Sequence, residues 1–112
     1  MDFQLTPAQS DLRELARTWV DKEVVPYDAQ WDRDESVDPA IVGKLGALGF
    51  LGIGIAEEYG GSGGDTFDYC LLLEELGRGD SAVRGIVSVS LGLFGKSIAA
   101  YGTEEQKQRF LP

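Results

Sequence analysis

Histidine is absent from the 112 residues, and cysteine occurs once, as Cys70. Without histidine there is no Ser–His or Cys–His catalytic pair and no His-ligated zinc within these residues. One cysteine forms no internal disulfide, which suits a reducing compartment. Positive charge is also scarce, with 10 Lys+Arg against 19 Asp+Glu for a net charge of −9. An acidic surface repels phosphate backbones and anionic headgroups, so neither nucleic acid nor a membrane surface is an expected partner. Chemistry built from these residues alone rests on carboxylates, hydroxyls, Lys, Tyr or a bound cofactor. What remains is ordinary globular composition, 43% hydrophobic and 26% charged, enough for a single core.

Long apolar runs are missing as well. The longest stretch without a charge, residues 85–95, lies between Arg84 and Lys96 and falls short of the about 20 residues that span a bilayer. The start, Met1-Asp2-Phe3-Gln4-Leu5, has neither the basic head and apolar stretch of a signal peptide nor the Arg-rich character of a transit peptide. These features predict a soluble, cytoplasmic protein without membrane insertion.

Strand-like alternation persists nowhere, whereas helix starts are plain, so the expected class is all-α. Thr6-Pro7-Ala8-Gln9 has a capping Thr, a Pro at the first helical position and a Gln three residues after the cap. Leu12, Leu15, Ala16, Trp19 and Val20 follow at three-and-four spacing, and Pro26 ends or kinks this helix near Val25, with Trp31 in a continuation. Asp38-Pro39 opens a second helix with Ile41, Val42, Leu45 and Leu48 inward and Gly49 as its stop. Asp65-Thr66 caps a third carrying Phe67, Cys70, Leu71, Leu73 and Leu76, closed by Gly77 and Gly79. Asp80-Ser81 caps a fourth, from Ala82 to Tyr101, apolar on nearly all sides and therefore expected at the centre of a bundle. Its glycines, Gly85, Gly92 and Gly95, predict close approach of another backbone or a ligand. Thr103-Glu104-Glu105-Gln106 starts a fifth helix, and the chain stops soon after at Leu111-Pro112, which reads as the front piece of a longer protein.

Several groups are candidate sites. Gly60 to Gly64 could expose backbone N–H groups to a phosphate, but no P-loop Lys-Ser/Thr follows and no strand precedes, so a turn between helices is expected. Gly43, Gly46 and Gly49, spaced by three, suggest close helix packing. The acid pairs Glu57-Glu58, Glu74-Glu75 and Glu104-Glu105 read as solvated or helix-start charges, because adjacent helical residues do not face one another. Asp80-Ser81-Ala82-Val83 admits a second reading, the attachment serine of a phosphopantetheine carrier, although Asp-Ser is also common capping chemistry. Arg84 falls one turn into the most apolar helix, where a charge is costly unless an anion meets it; an exposed flank or an acid from the previous helix would serve equally. Ser88 and Ser90 follow, lining a cavity or bonding back to carbonyls one turn earlier.

Five segments together resemble the N-terminal domain of acyl-CoA dehydrogenases: Leu5-Thr6-Pro7-Ala8-Gln9, Lys44 through Gly52, Glu57-Glu58-Tyr59-Gly60-Gly61, Leu73-Glu74-Glu75-Leu76, and Tyr101 through Pro112. The resemblance covers residues 1–112 and implies the helical domain of a three-part protein, with a middle β-domain and a C-terminal helical domain outside this chain. It implies α,β-dehydrogenation of an acyl-CoA with FAD as cofactor, electron-transfer flavoprotein or a similar acceptor as partner, and a homo-oligomer. The glutamate base and most FAD contacts are expected beyond Pro112, so the segment alone should not catalyse. Relatives acting on carrier-bound thioesters, and flavin oxidases, share the same features. Asp80-Ser81-Ala82-Val83-Arg84 with Val87-Ser88-Val89 is most similar to the glutaryl-CoA dehydrogenase branch, in which the arginine matching Arg84 receives the distal carboxylate. Gly77 stands where that branch carries an acid, and Gly85 where it carries a small hydroxyl residue. The substrate-binding residues this implies are Arg84, Ser88 and Leu91.

Overall fold

A computed structural model describes residues 3–112, whose named elements are all helical, with an isolated parallel bridge between Ile53 and Gly63. The caps read from the sequence are formed. Thr6 and Gln9 exchange both hydrogen bonds of a capping box at the start of α1 (Pro7–Glu23), and Thr103 and Gln106 do the same for α7 (Glu104–Phe110). Pro26, which has no N–H to continue a helix, separates α1 from α2 (Asp28–Asp34). Asp38 accepts from the Ala40 N–H at 3.0 Å and starts α3 (Ala40–Ala47). Two short 3₁₀ turns, Phe50–Gly52 and Glu57–Tyr59, lead to α4 (Thr66–Gly79), capped reciprocally by Asp65 and Asp68. Asp80 alone separates α4 from a 21-residue helix, Ser81–Tyr101, and accepts from the N–H groups of Ala82 and Val83 at 2.6 and 3.2 Å.

That long helix is not uniform. It runs as α5 (Ser81–Val87), a π-helical stretch (Ser88–Gly95) and α6 (Lys96–Tyr101). Val83, Val87, Leu91 and Gly95 are all buried, a strict step of four. In an α-helix each four-residue step advances about 40° around the axis, so such a row would turn out of the core within three steps. The wider π turn, closing its hydrogen bonds five residues back, keeps the row facing inward.

The core joins this row to Ala16, Val20 and Val24 of α1, Ile41 and Leu45 of α3, Phe50, and Leu72 and Leu76 of α4. The edge of Trp19 meets Phe50 at 6.1 Å between centroids. α1 lies along α4 so closely that a Cβ on Gly79 would collide with Val20. The body is a slab of 42 × 36 × 21 Å.

A slab buries one side of a helix, and this corrects several expectations. The long helix is not enclosed: Val89, Leu93 and Phe94 are exposed, Leu93 by 67%. By length and composition alone it also reaches across an apolar bilayer core, because an 18-residue window tolerates its two charges; its buried row packs it into the fold. Val42, Phe67 and Cys70 point outward. Gly43 faces open space and Gly46 meets only Leu51, so the three-residue glycine spacing is not a helix contact; Gly49 instead takes φ +79° and stops α3. Glu75 is the main reversal. Expected in solvent, it is 3% exposed and receives Arg13 and Arg17 of α1, each at 3.5 Å, and Arg78 at 3.0 Å. Arg78 also reaches Asp21 at 2.8 Å. Position 75 shares the inner face with Leu72 and Leu76, and the arginines across α1 make a carboxylate tolerable there.

A second carboxyl contact ties α2 to the long helix. Asp28 hydrogen-bonds Asp80, which holds the Asp28 carboxyl above the usual range, aided by burial and by the charges of Asp80 and Asp32.

Two outcomes follow from these contacts. Glu75→Ala removes the acceptor that three part-exposed arginines share and lowers unfolding stability by about 2 kcal/mol, read from denaturant curves. For Asp28 the folded-state pKa is raised, so the pair stabilises below the ordinary aspartate value of about 3.9 and that contribution is lost as pH rises through the raised one. Asp28→Asn keeps a hydrogen-bond donor without the charge, so its melting temperature exceeds the parent's at neutral pH and converges with it in acid.

Candidate functional site

The long helix presents its residues in rows four apart. Val83, Val87, Leu91 and Gly95 are buried; Arg84, Ser88, Gly92 and Lys96 are half-exposed; Val89 and Leu93 lie exposed beyond them. The second row faces a seam with α4. Because a single residue links the two helices, they run back along each other, and the side chains meet in order. A Cβ on Gly77 would come within 3.3 Å of Arg84 Cδ, so the arginine stem lies across Gly77. Eight positions away on both helices, the Tyr69 hydroxyl occupies the space where a Cβ on Gly92 would sit. Ser88 is midway.

The Arg84 guanidinium donates to Ser88 Oγ at 3.4 Å and to Ser81 Oγ at 3.5 Å, both long bonds to neutral acceptors. Ser88 in turn donates to the Gly85 carbonyl at 3.2 Å. Among the described residues no carboxylate lies within 4.0 Å of Arg84 or of Lys96. On the α4 side the arginine stem rests against Gly77.

Lys96 sits over the Tyr69 ring with Nζ 3.8 Å from the centroid. Burial raises the Tyr69 phenol above its ordinary pKa, Cys70 adds to this, and Arg84 opposes it. The phenol therefore stays protonated and acts as a donor, and among the described residues its hydroxyl has no hydrogen-bond partner.

Of the three residues expected at the site, the fold brings Arg84 and Ser88 together on the seam. Leu91 faces the other way, 1% exposed in the core, and reaches only a groove of about 300 Å³ with Phe94 and Phe110. The outward apolar residues beside the seam are Val89 and Leu93. Sequence reasoning passed over these two and Tyr69. The four-residue spacing of the whole helix carried the signal for Val89 and Leu93; nothing local to Tyr69 marked it.

The remaining candidates are placed as follows. In the glycine loop the N–H groups of Gly60, Gly61, Ser62 and Gly63 are bonded to the carbonyls of Glu57, Ala56, Gly52 and Ile55, so they are not free for a phosphate. A Cβ on Gly61 would collide with the Ile55 carbonyl. The loop is a fixed turn rather than an anion cradle. Glu57 and Glu58 are exposed on that turn; Glu104 accepts from the Tyr59 hydroxyl at 2.8 Å, tying it to α7. Ser81 is exposed at the edge of a cleft of about 660 Å³ lined by Asp28, Asp32, Glu35 and Asp80. Among the described residues no cluster of three or more His, Cys, Asp or Glu could hold a metal ion.

Residues 6–112 match the family model described as acyl-CoA dehydrogenase, N-terminal domain. A probable acyl-CoA dehydrogenase of Bacillus subtilis is 40% identical over 99% of the chain and 29% of its own length. The solved butyryl-CoA dehydrogenase of Megasphaera elsdenii superposes with a TM-score of 0.92 at 36% identity, over 99% of the chain and 30% of that protein. A glutaryl-CoA dehydrogenase solved with glutaryl-CoA gives 0.93 at 35% identity, over 100% of the chain and 29% of that protein. The chain thus spans under a third of the relatives it matches.

Proposed function

The chain belongs to the acyl-CoA dehydrogenase N-terminal domain family, and from that premise we propose that it forms one wall of the acyl site in an FAD-dependent dehydrogenase acting on a dicarboxylic acyl-CoA of the glutaryl type. The observation that carries the substrate class is the guanidinium of Arg84, held by two long bonds to serines and met by no carboxylate among the described residues. Beside it Val89 and Leu93 offer an exposed apolar row. An acyl chain can lie along that row, and a terminal carboxylate can take the charge-assisted, two-pronged contact that arginine makes best. Ser88 steadies the guanidinium, and Leu91 backs the wall from the core.

On this reading FAD, the base that removes the α-proton and the surface that meets an electron-transfer flavoprotein belong to other parts of the full-length protein. None of the residues described takes a chemical step. Their work is to bind and orient the acyl end and to keep water from it.

Full-length protein should purify yellow with bound FAD and oxidise acyl-CoA when given an electron acceptor; a colourless, inactive preparation overturns the reading. Arg84→Ala should lower kcat/KM on glutaryl-CoA about 100-fold, corresponding to a charge-assisted contact of about 3 kcal/mol, and change butyryl-CoA turnover less than about threefold. Equal losses on both substrates would show Arg84 to be structural.

A further inference from the structure

The seam between α4 and the long helix holds one donor that nothing yet described uses. A carboxylate has about four lone-pair positions, of which an arginine fork fills two. Ser88 cannot supply a third donor, since its proton is engaged by the Gly85 carbonyl. The Tyr69 hydroxyl can. Among the described residues it has no hydrogen-bond partner, it lies over Gly92, and it faces the helix row that also carries Arg84 and Ser88. The guanidinium reaches forward to Ser88 and the phenol lies one turn beyond, a gap of about 5 Å along the helix axis. A carboxylate between them would take a hydrogen bond from each end.

Two features fix the phenol there. Gly92 leaves the space that its oxygen fills, and Lys96 stacks on the ring one turn further along. Lys96 has no carboxylate within 4.0 Å among the described residues, so its contact with the ring competes with no ion pair.

Resting on the dicarboxylate reading above, we propose that Tyr69 is a specificity-determining residue of the acyl site, donating its hydroxyl proton to the distal carboxylate opposite Arg84, and that Lys96 is the positioning residue that holds its ring.

The test uses full-length holoenzyme with glutaryl-CoA and butyryl-CoA, alongside Arg84→Ala. Tyr69→Phe keeps the ring and removes only the donor. It should raise KM for glutaryl-CoA about tenfold with kcat nearly unchanged, as expected for loss of a hydrogen bond to a charged group, and leave butyryl-CoA kinetics and thermal stability at parent values. Lys96→Met should reproduce part of that KM rise, and Lys96→Arg, which also stacks on an aromatic ring, should restore it. If Arg84→Ala discriminates between the substrates while Tyr69→Phe affects both or neither, the role of Tyr69 is overturned and the dicarboxylate reading stands. If Arg84→Ala itself affects both equally, the reading falls and this inference with it.

Discussion

The site depends on one geometric constraint: α4 and the long helix are joined by a single residue. Asp80 cannot form a loop, so it serves both helices at once, closing α4 through its own N–H and capping the next helix with its carboxylate. With the turn this tight, the two helices must run back along each other, which sets Gly77 against Arg84 and Tyr69 against Gly92. The π-helical stretch completes the constraint. It holds a four-residue step in register through Gly95, so the neighbouring rows also stay on constant faces. A straight α-helix with the same residues would twist Lys96 away from Tyr69.

Charge is treated in opposite ways on the two faces of α4. Toward α1, Glu75 is buried and met by three arginines, and the surplus positive charge is shared with Asp21 and with solvent. Toward the long helix the inventory reverses: two cations, Arg84 and Lys96, and no carboxylate within ion-pair distance among the described residues. Among the described residues Arg13, Arg17, Lys44 and Arg78 make ion pairs, and the two cations of this seam do not. The α1 face uses its ions to fix the packing of two helices. The other face leaves a guanidinium that, among the described residues, only serines support.

Local chemistry was readable in the sequence, and cross-chain chemistry was not. Thr6 with Gln9, Asp65, Asp80 and Thr103 announced helix starts because a cap is satisfied within three residues of itself. The all-α class followed from such signals, and the family from the resemblance of five segments taken in order. Arg84 and Ser88 were visible because they stand on one helix a turn apart. Glu75 was misread because its partners Arg13 and Arg17 lie about sixty positions away on another helix. Leu91 was named with Arg84 and Ser88 from the resemblance, and the step of four from Val83 and Val87 places its side chain inside. Tyr69 was missed because its significance comes from Lys96 and Gly92 across the seam.

The exposed apolar row follows from the same geometry. A slab 21 Å thick has room for little more than two helix diameters of about 10 Å each, so it can bury one side of the long helix and must leave the other uncovered. Val89, Leu93 and Phe94 are therefore outside because of the architecture, not for want of hydrophobicity. Large apolar side chains side by side on a surface tend to mark a binding surface. Here the row ends beside a guanidinium and a free phenol, so apolar contact along its length is combined with hydrogen-bond recognition at one end. A purely hydrocarbon chain would satisfy the row and leave the Arg84 charge unmet. On the proposed reading a chain ending in an anion satisfies both, and that difference in matching, more than the apolar area itself, would separate the two ligands.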